Sequence, residues 1–201
     1  MAGAVDIELT VLEPTSAASA NFSAVLLAGG RSTRMGQDKA GLVFDGEPLW
    51  QRQLATLRET KPGELFISGQ STGPYRDAGL PIVGDDTPGL GPLGGLAAAL
   101  RHARHSQLLV LAVDLPMMTA RFLSELAARG PVVPRTADWF EPLAAVYPRL
   151  CLPLVEECLG QSDRSMQCFL RLAVARRLVN IRELSREELP LFRNLNSPAD
   201  C

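Results

Sequence analysis

Apolar positions run without a break over residues 24–28, and again behind Gln107 in the strand expected over 107–113, the pattern of strands covered on both faces. Shorter runs at 64–68, 80–83, 131–134 and 142–147 predict further strands, and residues 69–80 read as a loop or short helix. Between them the period changes to 3.6. Pro48 opens a helix whose buried stripe is Leu49, Gln53, Leu54 and Leu57, and Pro62-Gly63 ends it. Thr119 is placed to cap a helix running to residue 128, and helical patterns recur at 149–160 and 164–174. Gly91-Pro-Leu-Gly-Gly-Leu96 opens as a glycine-rich loop and becomes an alanine-rich helix. A turn is expected at Asp45-Gly46, a strand at 177–181 and a strand-like end at 192–196. Strands alternating with helices predict an α/β, Rossmann-like, three-layer α/β/α domain with a mainly parallel sheet. Ligands of such sheets bind outside the carboxyl ends of the strands. Gly29-Gly30, Asp85 and Asp114 each follow a strand and should therefore share one edge.

With 201 residues, the chain suits one globular domain over 23–201, preceded by a poorly ordered extension over 1–22. The formal net charge is −2, which excludes a global basic field for nucleic acid and leaves room only for a local anion site. No apolar run is long enough for a bilayer span. Cys151, Cys158, Cys168 and Cys201 lack metal-site or C-x-x-C spacing and read as packed or free thiols. Ala18-Ser19-Ala20 imitates a cleavage site, but Asp6, Glu8 and Glu13 interrupt the segment before it, so a cytoplasmic protein is expected.

The richest chemistry lies at Leu27-Ala-Gly-Gly-Arg-Ser-Thr-Arg-Met-Gly-Gln-Asp-Lys39, directly after the first strand. Glycines let a backbone lie close to a ligand, and successive N–H groups in such a turn cradle anions. Arg31, Arg34 and Lys39 add fixed charge, so the segment reads as a grip for polyphosphate. It is neither a P-loop, because Gln37-Asp38 follow Gly36, nor a G-x-G-x-x-G turn, because Gly29 and Gly30 are adjacent. Asp114 ends an apolar strand, where a buried carboxylate is costly unless a magnesium ion or a helix cap uses it. Asp85 and Asp86 precede Thr87-Pro88-Gly89 and suit a turn. Gly91, Gly94 and Gly95 permit tight helix packing or close approach of a ligand. His102 and His105 read as a solvated helix face, and no histidine lies among the motifs, so histidine acid–base chemistry is not expected.

The thirteen-residue string resembles L-A-G-G-x-S-x-R-M-G-x-D-K, the signature of the molybdenum cofactor guanylyltransferases, the MobA family. Gly91-Pro-Leu-Gly-Gly-Leu96, Asp114-Leu-Pro116 and Asn194-Leu-Asn-Ser-Pro-Ala-Asp200 are similar to further family motifs in the same order, and Glu141-Pro-Leu-Ala-Ala-Val-Tyr147 to its acceptor side. The resemblance covers about residues 23–200. It implies a nucleotidyltransferase that moves GMP from GTP to the phosphate of molybdopterin. Arg34, Lys39 and Asp114 would be catalytic, with Asp114 holding magnesium. Leu27, Ala28, Gly29, Gly30, Arg34, Gly36, Lys39, Asp85, Gly91, Gly94 and Asn196 would line the GTP site. Gly29 stands where the related cytidylyltransferases and many sugar-nucleotide enzymes carry alanine, which favours guanine over CTP or a sugar phosphate. A non-catalytic binding protein on this fold is the remaining alternative. The resemblance also implies transient contact with proteins of cofactor synthesis or molybdoenzyme maturation. Arg135 and Arg164 are candidates for the acceptor phosphate or ordinary surface cations, and oligomeric state stays open.

Overall fold

A computed structural model describes residues 20–29, 39–84, 89–137 and 139–195. Its centre is strand β1 (Ala20–Leu27), in which Ala24, Val25 and Leu26 are fully buried because sheet and helices cover both faces. A two-stranded hairpin, β2 (Val43–Phe44) and β3 (Glu47–Pro48), follows. Its turn places Asp45 and Gly46 at φ 50° and 81°, as the Asp-Gly pair predicts. Helix α1 (Leu49–Glu59) buries Leu49, Gln53, Leu54 and Leu57, the stripe read from its period. Strand β4 (Pro62–Ser68) then pairs parallel to β1, and β5 (Ile82–Val83) parallel to β4.

The chain returns through α2 (Gly91–His102) to β6 (Gln107–Ala112), parallel to β1 on its other side. Helix α3 (Ala120–Arg129) is capped by Thr119, whose Oγ1 accepts from Phe122 N at 3.3 Å. It leads to β7 (Val132–Thr136) and the short arm β8 (Trp139–Phe140). Strand β9 (Ala144–Pro148) enters between β6 and β7, antiparallel to both. Helices α4 (Leu152–Leu159) and α5 (Met166–Ala175) precede β10 (Asn180–Glu183), which pairs parallel to β7. The sheet order is β10-β7-β9-β6-β1-β4-β5, with β8 on β7. It is the expected mainly parallel sheet.

Strand alternation divides the core in two. Ala24, Leu26, Leu109 and Leu111 pack with α1, α3 and the segment ending at Leu195, while Val25, Leu27, Leu108 and Val110 pack with α2, α4 and α5. This is the three-layer arrangement. Among the described residues no helix is long and apolar enough to cross a membrane.

Three local expectations shift. The glycine run at 91–95 is helical from Gly91 onward rather than a loop first. Strand β10 starts three residues later than expected, after Arg177 takes φ 57° in the turn out of α5. The strand expected at 192–196 does not form among its described residues. Leu189–Phe192 make a 3-10 turn in which Phe192 packs edge-on against Phe122, and Leu195 N donates to the Asp114 carbonyl at 3.0 Å.

Candidate active site

From β1 the chain passes through α1 to β4, toward one edge of the sheet, and from neighbouring β6 through α3 to β7, toward the other. Connections that diverge from adjacent parallel strands open a crevice at their carboxyl ends, the usual ligand site of open α/β sheets. Ala28 and Gly29 leave β1 on one lip, and Val113 and Asp114 leave β6 on the other. Val113 N donates to Leu27 O at 3.1 Å, so the lips are tied together at their base.

Leu27, Ala28 and Gly29 therefore lie where the sequence placed them. One detail differs from a simple amide cradle. Ala28 N and Gly29 N both donate to the Ser68 carbonyl, at 2.9 and 3.1 Å. The Gly29 amide is engaged within the protein, and amides offered to an anion would start after it. Gly30, Arg34, Gly36, Asp85 and Asn196 lie outside the described residues. Lys39 opens a 3-10 turn (Lys39–Gly41) that returns the chain from the loop toward the hairpin.

At the mouth of β5, α2 begins with Gly91 at φ 65°, a conformation strained for any side chain. A Cβ on Gly94 would sit 2.7 Å from Leu90 Cβ, so this turn closes only with glycine there. Among the described residues no side chain caps the helix, and its first N–H groups face the same carboxyl edge. A helix N-terminus without a side-chain cap is suited to an anionic or polar ligand.

Asp114 is partly buried at the end of β6, and the turn behind it is held from three directions. The Asp114 carbonyl accepts from Leu195 N at 3.0 Å. The Leu115 carbonyl accepts from the Gln53 side-chain amide, and the Pro116 carbonyl from Arg52 Nε at 2.9 Å. Three successive carbonyls of an irregular turn thus find donors, as buried backbone requires. Gln53 is 0% exposed, and its Oε1 finds no donor among the described residues. Sequence reasoning placed Gln53 in the helix core but missed this role, because its partner is 62 positions away. The hydrogen bond from Leu195 also brings Asn194 to the Asp114 side of the crevice.

A hard divalent cation fits this donor set. Asp114 offers a carboxylate on a fixed backbone at the mouth of the crevice, where substrate phosphate oxygens would complete the coordination, as magnesium prefers. Among the described residues no group of three or more His, Cys, Asp or Glu side chains is assembled.

The other singled-out residues lie elsewhere. Arg135 pairs with Glu183 on β10 and stacks 6.0 Å from the Phe140 ring centroid. Arg164 donates to the Gln161 carbonyl at 3.2 Å in an exposed turn before α5. His102 and His105 are not simply solvated. His102 packs edge-on against Phe66 at 4.6 Å, and His105 Nδ1 lies 3.1 Å from Ser23 Oγ. Ser23 in turn donates to Glu64 at 2.5 Å, so this polar group stitches the edge opposite the crevice. Cys151 and Cys158 are packed in the core, and burial pushes the Cys151 thiol up to about 12.

Residues 24–180 match the family model described as MobA-like NTP transferase domain. A protein of Opitutus terrae named "Probable molybdenum cofactor guanylyltransferase" is 40% identical over 193 residues, covering 90% of this chain and 95% of the relative. The molybdenum cofactor guanylyltransferase of Serratia proteamaculans is 32% identical over 186 residues, covering 90% and 92%. Among solved structures, molybdopterin-guanine dinucleotide biosynthesis protein A from Archaeoglobus fulgidus superposes with a TM-score of 0.67 at 22% identity, covering 89% of this chain and 94% of that one, a likeness of fold. The chain belongs to the MobA-like NTP transferase family and is a nucleotidyltransferase of its molybdenum cofactor guanylyltransferase group.

Proposed function

We propose that the protein transfers GMP from GTP to the phosphate of molybdopterin, releasing pyrophosphate and forming the guanine dinucleotide cofactor. The observation that carries this reading is the fixed Asp114 turn facing the end of β1 across one crevice, in a chain whose relatives are named for guanylyl transfer. An oxygen of the acceptor's phosphate monoester attacks the α-phosphorus of GTP in line. The bond from that phosphorus to the bridging oxygen breaks, and pyrophosphate departs with the electron pair. No protein nucleophile is required, so the chain's task is to position and to balance charge.

In this reading Arg34 forks across triphosphate oxygens, while Lys39 serves as a compact charge. Backbone amides through Gly30 and Gly36 line the same phosphates. Gly91 and Gly94 let the nucleoside approach the start of α2, with Asp85 beside it and Leu27, Ala28 and Gly29 as the floor. Asp114, joined by Asn196, would hold magnesium. Magnesium supplies neutralisation of the developing phosphate charge.

The test is a transfer assay with α-labelled GTP, CTP, UTP and ATP, in magnesium, with molybdopterin as acceptor. Label from GTP should appear in the dinucleotide at least tenfold faster than from the others. Preference for CTP would overturn the guanine assignment, and transfer only to a sugar phosphate would overturn the acceptor.

A further inference from the structure

Beyond β6, on the side of the sheet away from the phosphate loop, stands an arm that carries an exposed indole and a half-buried carboxyl. Strand β8 pairs Trp139 with Thr136 and Phe140 with Arg135. The ladder continues in Glu141 N, which donates to the Pro134 carbonyl at 2.8 Å. Phe140 is buried in the core beneath α5, so alternation sends Trp139 and Glu141 together to the opposite face. That face carries α1, α3 and the segment holding Leu195 against Asp114. Two residues on from Glu141, the Leu143 carbonyl accepts from Ala112 N at 2.8 Å, which sets the pair at the carboxyl edge beside the strand that ends in Asp114.

The arm is rigid. Gln167 of α5 takes both backbone groups of Phe140, accepting from its N–H at 3.2 Å and donating to its carbonyl at 2.8 Å. Tyr147 donates to the Pro142 carbonyl at 2.8 Å. Yet Trp139 is 62% exposed, an unusual position for an indole held on a fixed strand. The Glu141 carboxyl is half-buried, and burial pushes it above its ordinary value, with no donor reaching it among the described residues. A flat ring with two adjacent N–H donors on one edge would satisfy both groups at once. The indole stacks on its face, and the carboxylate accepts from its edge.

We propose that Trp139 and Glu141 recognise the 2-amino-4-oxopyrimidine ring of the acceptor, the indole stacking on the ring and the carboxylate accepting from the ring N–H and the exocyclic amine. This assignment rests on the transfer reading above. Guanine presents the same donor pair, but the proposed guanine side lies over β1, β4 and β5, whereas β8 and β9 lie across β6 from it. Position therefore gives the pair to the pterin.

The experiment measures binding of a 6-substituted pterin bearing a phosphate monoester, and of the matching lumazine, in which the 2-amino group is replaced by oxygen. Wild-type protein should favour the pterin by about tenfold or more, because a carboxylate left facing a carbonyl oxygen is penalised. Glu141→Gln should weaken pterin binding roughly ten- to hundredfold and erase the preference over lumazine. Trp139→Ala should weaken both ligands, and Trp139→Phe should recover most of the loss. The KM for GTP should stay within about twofold in all three. Equal affinity of wild type for the two ligands, or an unchanged pterin/lumazine ratio in Glu141→Gln, overturns the proposal. A rise in the KM for GTP with pterin binding intact overturns it in favour of guanine. Selective pterin binding by a wild-type protein that transfers no GMP supports this site and overturns the transfer reading alone.

Discussion

Gln53 illustrates how a single polar side chain inside an apolar stripe is tied to the chemistry of a distant loop. Its amide holds the Leu115 carbonyl, Arg52 holds the next, and the Asp114 backbone is left with little freedom. Gln53→Leu preserves size and burial but leaves that carbonyl with only the Met118 N–H, which reaches it at 3.0 Å. Small displacements of a charge-bearing group are costly in phosphoryl transfer, so kcat should fall roughly ten- to hundredfold. The magnesium concentration giving half-maximal rate should rise with it, and the thermal midpoint should drop by a few degrees. Magnesium titration of the rate separates the two possibilities. An unchanged metal dependence with only a lowered midpoint would make Gln53 a packing residue.

At the scale of elements, β8 is the least self-sufficient piece of the sheet. It has two residues, one neighbouring strand and a surface position, and Gln167 substitutes for a second strand by pairing with both backbone groups of Phe140. Gln167→Ala should therefore release the arm without melting α5, whose start is capped by Ser165 Oγ accepting from Cys168 N at 3.1 Å. Hydrogen exchange should quicken at residues 139–141, with protection in α5 and β9 retained; equal loss across α5 would count against a local role. Such an arm was not legible in the sequence, since two residues carry no period and Gln167 reads as an ordinary helix position. By contrast β1, β6 and α1 were legible because continuous apolar runs and a 3.6 period leave few alternatives. The expected strand near 192–196 failed for a related reason. Phe192 and Leu195 serve the core from a 3-10 turn and an extended link rather than from a ladder. The expectation for the loop at 27–39 draws on neighbouring residues, of which 30–38 lie outside the described ones, whereas the clamp on the turn after Asp114 joins α1, the 114–116 turn and Leu195, residues far apart in the chain.

Over the whole molecule the two edges of the sheet use carboxylates in opposite senses. At the edge away from the crevice, Glu64 is 11% exposed, accepts from Ser23 Oγ and from Arg104 N, and lies near His102 and His105. Burial pushes its carboxyl up, but these hydrogen bonds and the charges of His102 and Arg104 outweigh it, so its folded value lies below the ordinary 4.5. Its contribution to stability is then present above about pH 4.5 and is lost as pH falls through the lower, folded value. Glu141 is the reverse. Burial alone raises its folded value above 4.5, so ionising it at neutral pH costs stability, and that cost appears as pH rises from 4.5 through the folded value. A structural carboxylate is expected to stabilise the free protein, whereas one kept for a ligand is expected to weigh on it. Denaturant unfolding of Glu64→Gln and Glu141→Gln between pH 4 and 8 should display the contrast. Glu64→Gln should be less stable than wild type at pH 7, with the gap closing as pH falls below 4.5. Glu141→Gln should match wild type near pH 4 and exceed it at pH 7, because the amide carries no charge to desolvate. A Glu141→Gln protein that is less stable at pH 7 would mean that the carboxylate is held by the fold itself, and a ligand would no longer be needed to account for it.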